Sequence, residues 1–190
     1  MKTFLLLSTA AAVAIVYQSS AFAQAPAAIG PGSVKIEKVE PQVVKTPEYN
    51  ITGGPQKRSL SQNWLEVEVE FDTKAPEIDE LTFAYVLAID NKLITGSVTH
   101  INIPDGKKHY SVVYVAPRSL EKLTGGKPLT SASIQNVWVT VTRQGQMLAQ
   151  GSFKQGAVPN APQLVGMVLN KMETPFAPLF FDRYEAIKPK

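Results

Sequence analysis

The stretch Trp64-Leu65-Glu66-Val67-Glu68-Val69-Glu70-Phe71 sets a carboxylate at every second position, with apolar side chains between. Residues i and i+2 of a strand lie about 6.5–7 Å apart along the backbone. Carboxylates separated by about 6.5–9.5 Å suit an inverting glycosidase, so Glu66 and Glu68 have the spacing to flank a glycosidic bond. Any alternating strand gives that spacing, however. A catalytic acid also needs its pKa raised by burial or a coupled charge. With Leu65, Val67, Val69 and Phe71 on the buried side, Glu66, Glu68 and Glu70 are expected to face water. The stripe is also a poor calcium site, because Ca2+ takes about six to eight oxygens, usually from aspartate-rich loops.

The other reactive residue types are sparse. His100 and His109 lack a second histidine at ligand spacing and are expected at the surface or in turns. No Gly-x-Ser-x-Gly elbow occurs, and Gly53-Gly54 and Gly125-Gly126 read as turn punctuation rather than as phosphate loops. The residues therefore point to no catalytic group, no metal site and no cofactor, and the expectation is a non-enzymatic protein. Aromatic residues remain. Trp64 and Trp138 share the parity of polar neighbours, which places them on a sheet face. There they can stack on sugar rings or anchor a protein interface, unless a tail, loop or neighbouring strand covers them. Phe176, Leu179, Phe180, Phe181 and Tyr184 sit in a proline-punctuated tail that either packs back on its own domain or docks on a partner. The candidate interaction residues are Trp64, Trp138, Phe176, Phe180, Phe181 and Tyr184.

Alternation defines the elements that must position these side chains. "SVKIEKVEP" reads as an edge strand ending at Pro41, with Val34, Ile36 and Lys38 on one face and Lys35, Glu37 and Val39 on the other. "PQVVKTPEYNITGGPQKRSLSQ" reads as a loop. Trp64 to Phe71 is the clearest strand, and Lys74-Ala75-Pro76 breaks it from "ELTFAYVLAID". In the latter, Leu81, Phe83, Tyr85, Leu87 and Ile89 share a face while Ala84, Val86 and Ala88 make the other face apolar, as in a strand covered on both sides. Asp90-Asn91-Lys92 and Pro104-Asp105-Gly106 read as turns into "LITGSVTHINI" and "HYSVVYV". Pro117 and Gly125 bracket a helix of one or two turns, and Gln144-Gly145 or Gly145-Gln146 closes a hairpin in which Val137, Val139 and Val141 point one way. Leu164, Val165, Val168, Leu169 and Met172 recur at helical spacing after Pro162, weakened by Gly166. Seven or so strands at short intervals, with one or two short helices, predict a mainly all-β, antiparallel β-sandwich.

The ends and composition bound the rest. Lys2, an apolar run from Phe4 to Val16, a polar break and Ala21-Phe22-Ala23 predict a Sec signal peptide over residues 1–23. A Pro-, Gly- and Ala-rich spacer occupies 24–33, the sandwich 34–173 and the aromatic arm 174–190. The chain has no cysteine, so disulfides, thiolate metal sites and a lipidated N-terminus are out. A net charge of +3 without a long basic run argues against nucleic acid, and no later segment is apolar enough to span a membrane.

The whole run from "NWLEVEVEFDTKAPEIDELTFAYVLAIDNKLITGSVTHINIPDG" through "ETPFAPLFFDRYEAIKPK" resembles the Akkermansia pilus-like proteins encoded with type IV pilus genes. The resemblance implies an immunoglobulin-like fold and a cell-envelope role in assembly or adhesion of a pilus-like structure, with no catalytic residues to carry over. It implies other pilus or envelope proteins as partners, a host or mucin surface as a further one, and a location in the periplasm, at the outer membrane or on the cell surface. The leader and the missing assembly helix depart from a type IV pilin, and the cysteine pair and tyrosine corner of antibody domains are absent. The runner-up reading is a carbohydrate-binding module using exposed Trp and Tyr side chains.

Overall fold

A computed structural model describes residues 29–49, 53 and 60–189. The expected signal peptide, much of the spacer and most of the Thr52–Pro55 break lie outside these residues. Seven strands follow in order: β1 (Val34–Lys45), β2 (Asn63–Ile89), β3 (Lys92–Val115), β4 (Ile134–Arg143), β5 (Gln146–Ser152), β6 (Gln163–Val165) and β7 (Val168–Asn170). One helix, α1 (Pro117–Thr124), links β3 to β4.

The long hairpin β2–β3 organises everything else. The first half of β2 pairs with β1 and with the second half of β3, whose far side pairs with β7. The second half of β2 pairs with the first half of β3 and with β4, which carries β5, while β6 adds to β3. One hydrogen-bonded sheet thus supplies both layers of an immunoglobulin-like sandwich. All pairings are antiparallel except the three-residue β3–β6 contact.

The corner between the layers is written in the burial phase of β2. Buried residues run Phe71, Thr73 and Ala75, slip to Ile78, and slip again to Leu81. Register shifts between Phe71 and Thr73 and between Thr73 and Glu77 mark the same place. Bulges of this kind bend a strand and increase its twist. The expected break at Lys74-Ala75-Pro76 and the expected turn at Pro104-Asp105-Gly106 are therefore bends within continuous strands. In β3, Asn102 and Lys108 take positive φ of 55° and 63°, which lets that strand bend alongside β2.

Core formation follows the alternation. Leu65, Val67, Val69, Phe71, Leu81, Phe83, Leu87 and Ile89 are fully buried, and β4 adds Val137, Val139 and Val141. Fully burying such a side chain contributes about 1.5–3 kcal/mol. Both expected hairpin turns form. Asp90 and Asn91 have φ of 46° and 62°, and Gln144 and Gly145 have φ of 49° and 81°, as two-residue type I′ turns require. Helix α1 starts at Pro117 and ends against Gly125 at φ 64°, where a Cβ would be disfavoured.

Four expectations are corrected. β1 runs through Pro41 to Lys45, and a bulge between Ile36 and Lys38 turns Val39 to the core, so Lys38 does not share the face of Val34. Pro41 is tolerated because β1 is an edge strand. The strand carrying Phe83 is central in the hydrogen-bonding order but its second face is covered only in part, since Ala84 is exposed and Val86 half-buried while Ala88 is buried. The residues after Pro162 form β6 and β7 rather than a helix. Gly166 turns the chain between them at φ 78°, and both short strands satisfy backbone groups at the edge of β3.

Candidate functional site

The outer face of the β1–β2–β3–β7 layer carries the glutamate stripe, and the C-terminal arm lies across it. The arm begins with a 3-10 turn at Lys171–Glu173. Lys171 is buried, donates from Nζ to the Ala177 carbonyl at 2.9 Å and lies 5.4 Å from the Tyr184 ring. Burial lowers its pKa from the ordinary lysine value. Thr174 Oγ1 donates to the Lys171 carbonyl at 2.7 Å and accepts from Phe176 N–H at 3.2 Å, which fixes the turn. The Tyr49 hydroxyl donates to the Pro175 carbonyl from the segment after β1.

Phe176 is the apolar anchor. Its ring stacks on Tyr114 at 4.5 Å and meets Trp64 edge-on at 5.6 Å. Val112 joins them in a small cluster outside the main core, with Leu169, Leu179 and Tyr184 packed against it. Aromatic pairs in these geometries gain about 0.5–1.5 kcal/mol beyond area burial. Trp64 is accordingly buried, and its indole N–H donates to Thr46 Oγ1 at 3.1 Å.

Two of the three glutamates, Glu66 and Glu68, are engaged with other side chains rather than free in water, while Glu70 is half-buried. Glu66 is 7% exposed and accepts from Gln42 Nε2. Arg183 grips Glu68 as a fork, with Nε–Oε2 3.1 Å and Nη2–Oε1 2.6 Å, and the Tyr184 hydroxyl adds a bond of 2.8 Å. The same guanidinium lies 3.8 Å over the Tyr110 ring. Burial, followed by its bond to Glu68, raises the Tyr184 pKa, so its hydroxyl stays a donor. Both Glu68 oxygens are occupied, which leaves this residue holding the arm rather than a substrate.

Both histidines depart from the expected surface position, because the bend in β3 turns them inward beneath the arm. His100 is fully buried and His109 nearly so. Ser111 Oγ lies 2.7 Å from His100 Nε2 and 2.7 Å from the Tyr85 hydroxyl, while His100 Nδ1 lies 3.1 Å from the Glu185 carbonyl oxygen. One assignment satisfies every group: Tyr85 donates to Ser111, Ser111 to Nε2, and Nδ1–H to Glu185. Burial pushes the His100 pKa down to about 4, so the ring is neutral near pH 7. Ser111 and His100 have the spacing of a nucleophile and its base, yet neither is accessible, and the tyrosine occupies the serine oxygen. Alongside, His109 Nδ1 is 2.7 Å from Glu185 Oε1. The backbone joins in through Glu185 N–H to Tyr110 O at 3.2 Å, Ile101 N–H to Ala186 O at 3.0 Å and Lys188 N–H to Thr99 O at 2.8 Å.

The six candidate residues divide. Trp64, Phe176 and Tyr184 hold the arm to its own domain. Phe180 and Phe181 project at its tip, 67% and 75% exposed, with Phe180 at φ 50°. A bulky residue in that region is a strained outlier. Trp138 stands on the opposite layer, half-buried, with its indole N–H donating to the Gly156 carbonyl at 2.6 Å. Sequence reasoning missed Arg183 and Glu185 and set the two histidines at the surface, because nothing local in the chain pairs the arm with β2 and β3. Among the described residues, no group of three or more His, Asp or Glu could hold a metal ion, and no helix is long and apolar enough to cross a membrane.

A family model matches residues 25–190. No curated protein matches the sequence. A crystal structure of a protein from Akkermansia muciniphila shares the fold at a TM-score of 0.72, with 24% identity over 83% of this chain and 93% of that one. The family-model match spans residues 25–190 of a 190-residue chain and is the basis for assignment: the chain belongs to the Akkermansia pilus-like protein family.

Proposed function

We propose that this protein is an exported, non-enzymatic component of a pilus-like surface structure and binds another envelope protein through the tip of its C-terminal arm. The observation that carries this reading is the pair Phe180–Phe181, two adjacent and largely exposed aromatics on an otherwise anchored segment. Met172, 60% exposed, adds apolar surface on the same arm. Phe176 on one side and Arg183 and Tyr184 on the other fix the segment to the sheet, so the tip is presented at little conformational cost. Exposed aromatics held in this way are typical anchors of protein interfaces. The leader-like N-terminus and the family membership support export and a pilus context.

The test is photo-crosslinking in intact cells from position 182, an exposed position next to the aromatic pair, followed by identification of the attached protein. Crosslinks to a pilus or outer-membrane component, lost in a Phe180→Ser/Phe181→Ser variant that retains native stability, are the expected result. Unchanged attachment in that variant overturns the proposal.

A further inference from the structure

The layer away from the arm carries a groove of about 420 Å3 on its outer face. Trp138 and Thr140 of β4 face their cross-strand partners Ser152 and Gln150 of β5, so these four side chains project to the same side. Gly156 and Val158 belong to the loop that forms the groove's wall. That wall is fastened from beneath. Asn136 accepts from the Lys154 amide at 2.7 Å and donates to the Lys154 carbonyl at 2.8 Å, and the Trp138 indole N–H holds the Gly156 carbonyl. The Trp138 ring is thereby fixed in orientation before any ligand arrives.

Two properties of the lining select a ligand class. None of its residues is charged, on a chain with 35 charged residues and a glutamate stripe on its other outer face. An ionic ligand would find no counter-charge there. Thr140, Gln150 and Ser152 make no side-chain hydrogen bond among the described residues, so hydroxyl and amide groups stand free beside an aromatic ring. A pyranose presents the complement: an apolar C–H face for the indole and a rim of hydroxyls for neutral donors and acceptors. The volume lies within the range of small-molecule sites.

We infer that this groove is a binding subsite for a neutral pyranose unit of a glycan, with Trp138 as the stacking platform and Thr140, Gln150 and Ser152 as its hydrogen-bonding rim. It is separate from the arm tip and independent of the partner proposed there. Trp64 takes no part, because Phe176 covers it.

The protein is titrated with galactose, N-acetylglucosamine, lactose and diacetylchitobiose, followed by tryptophan fluorescence and backbone amide shifts. Saturable binding is expected for at least one sugar, with a dissociation constant on the order of millimolar, as befits so small a ligand. The shifts should cluster at residues 136–158. Trp138→Ala should weaken binding about tenfold or more. Gln150→Ala at an exposed position and Thr140→Val at a half-buried one are milder changes that cover the case in which loss of the indole disturbs the loop, and each should weaken binding about threefold. Absence of a saturable response to all four sugars overturns the inference, as do shifts clustered on the arm. So does a groove that captures a peptide partner while ignoring sugars.

Discussion

His100 Nδ1 donates to the backbone carbonyl of Glu185 across 3.1 Å, tying the core of the sandwich directly to the C-terminal arm. The imidazole is fully buried, and its pKa is lowered to about 4 by that burial. In the unfolded chain the same group titrates near the ordinary histidine value of 6.5. As pH falls, the unfolded chain therefore takes up the proton first. This contribution to stability is complete above pH 6.5 and is lost progressively down to about pH 4, where it levels off. The full span is on the order of 3 kcal/mol. Denaturant unfolding at pH 7.5 and pH 4.5 should show wild type losing about 2–3 kcal/mol more than His100→Asn. Equal losses in the two proteins would sink the assignment.

Phe176→Ala should release the arm. Truncating a buried phenylalanine costs about 3–5 kcal/mol, and here the loss falls on a peripheral cluster rather than on the main core. Trp64 should then become solvated, so the emission should shift to the red before global unfolding. Amide exchange should accelerate from residue 174 onward while β4 and β5 stay protected. Uniform destabilisation without selective exposure of the arm would contradict this arrangement.

Alternation in β2 made the core side of Leu65, Val67, Val69 and Phe71 legible from the chain alone, as did the hairpin turns and the limits of α1. What alternation does not reveal is the occupant of the opposite face. Glu66 and Glu68 read as solvated because their neighbours in sequence offer no partner. Arg183 and Tyr184 come from more than a hundred residues away. The same limit explains the histidines, whose burial depends on the bend in β3 and on an arm that covers it. Bulges near Glu37 and Thr73 also escape pattern reading, since one extra residue reverses the face of everything beyond it. The stretch from Gln163 to Asn170 has helical periodicity, but a glycine at positive φ and an open edge on β3 outweigh so short a pattern.

The Arg183–Glu68 fork should contribute modestly to stability and strongly to the arm's geometry. Arg183 is 44% exposed at its side chain, so solvent screening limits the coupling in a double-mutant cycle with Glu68→Gln to about 0.5–1 kcal/mol. Arg183→Lys keeps the charge but loses the planar fork and the stacking on Tyr110. It should therefore resemble Arg183→Ala in amide exchange of residues 180–186. A lysine variant indistinguishable from wild type would show that charge alone suffices.

Gly96 is required by the segment that crosses the edge of β3. A Cβ built there would stand 2.5 Å from the Val168 Cβ and 2.9 Å from its Cγ1, closer than side chains tolerate. Gly96→Ala must therefore move β7 away from β3 or bend β3 itself, at a cost of about 1–3 kcal/mol. β7 leads directly into the arm, so the displacement should loosen Phe176 as well, visible as partial exposure of Trp64. Because the collision includes the Cβ of Val168, Val168→Ala should relieve little of it, whereas Val168→Gly should remove it. The double variant Gly96→Ala/Val168→Gly should lose less stability than the sum of the two single changes. Strict additivity would mean that residues 96 and 168 do not meet as described, and that the arm is held independently of the edge it crosses.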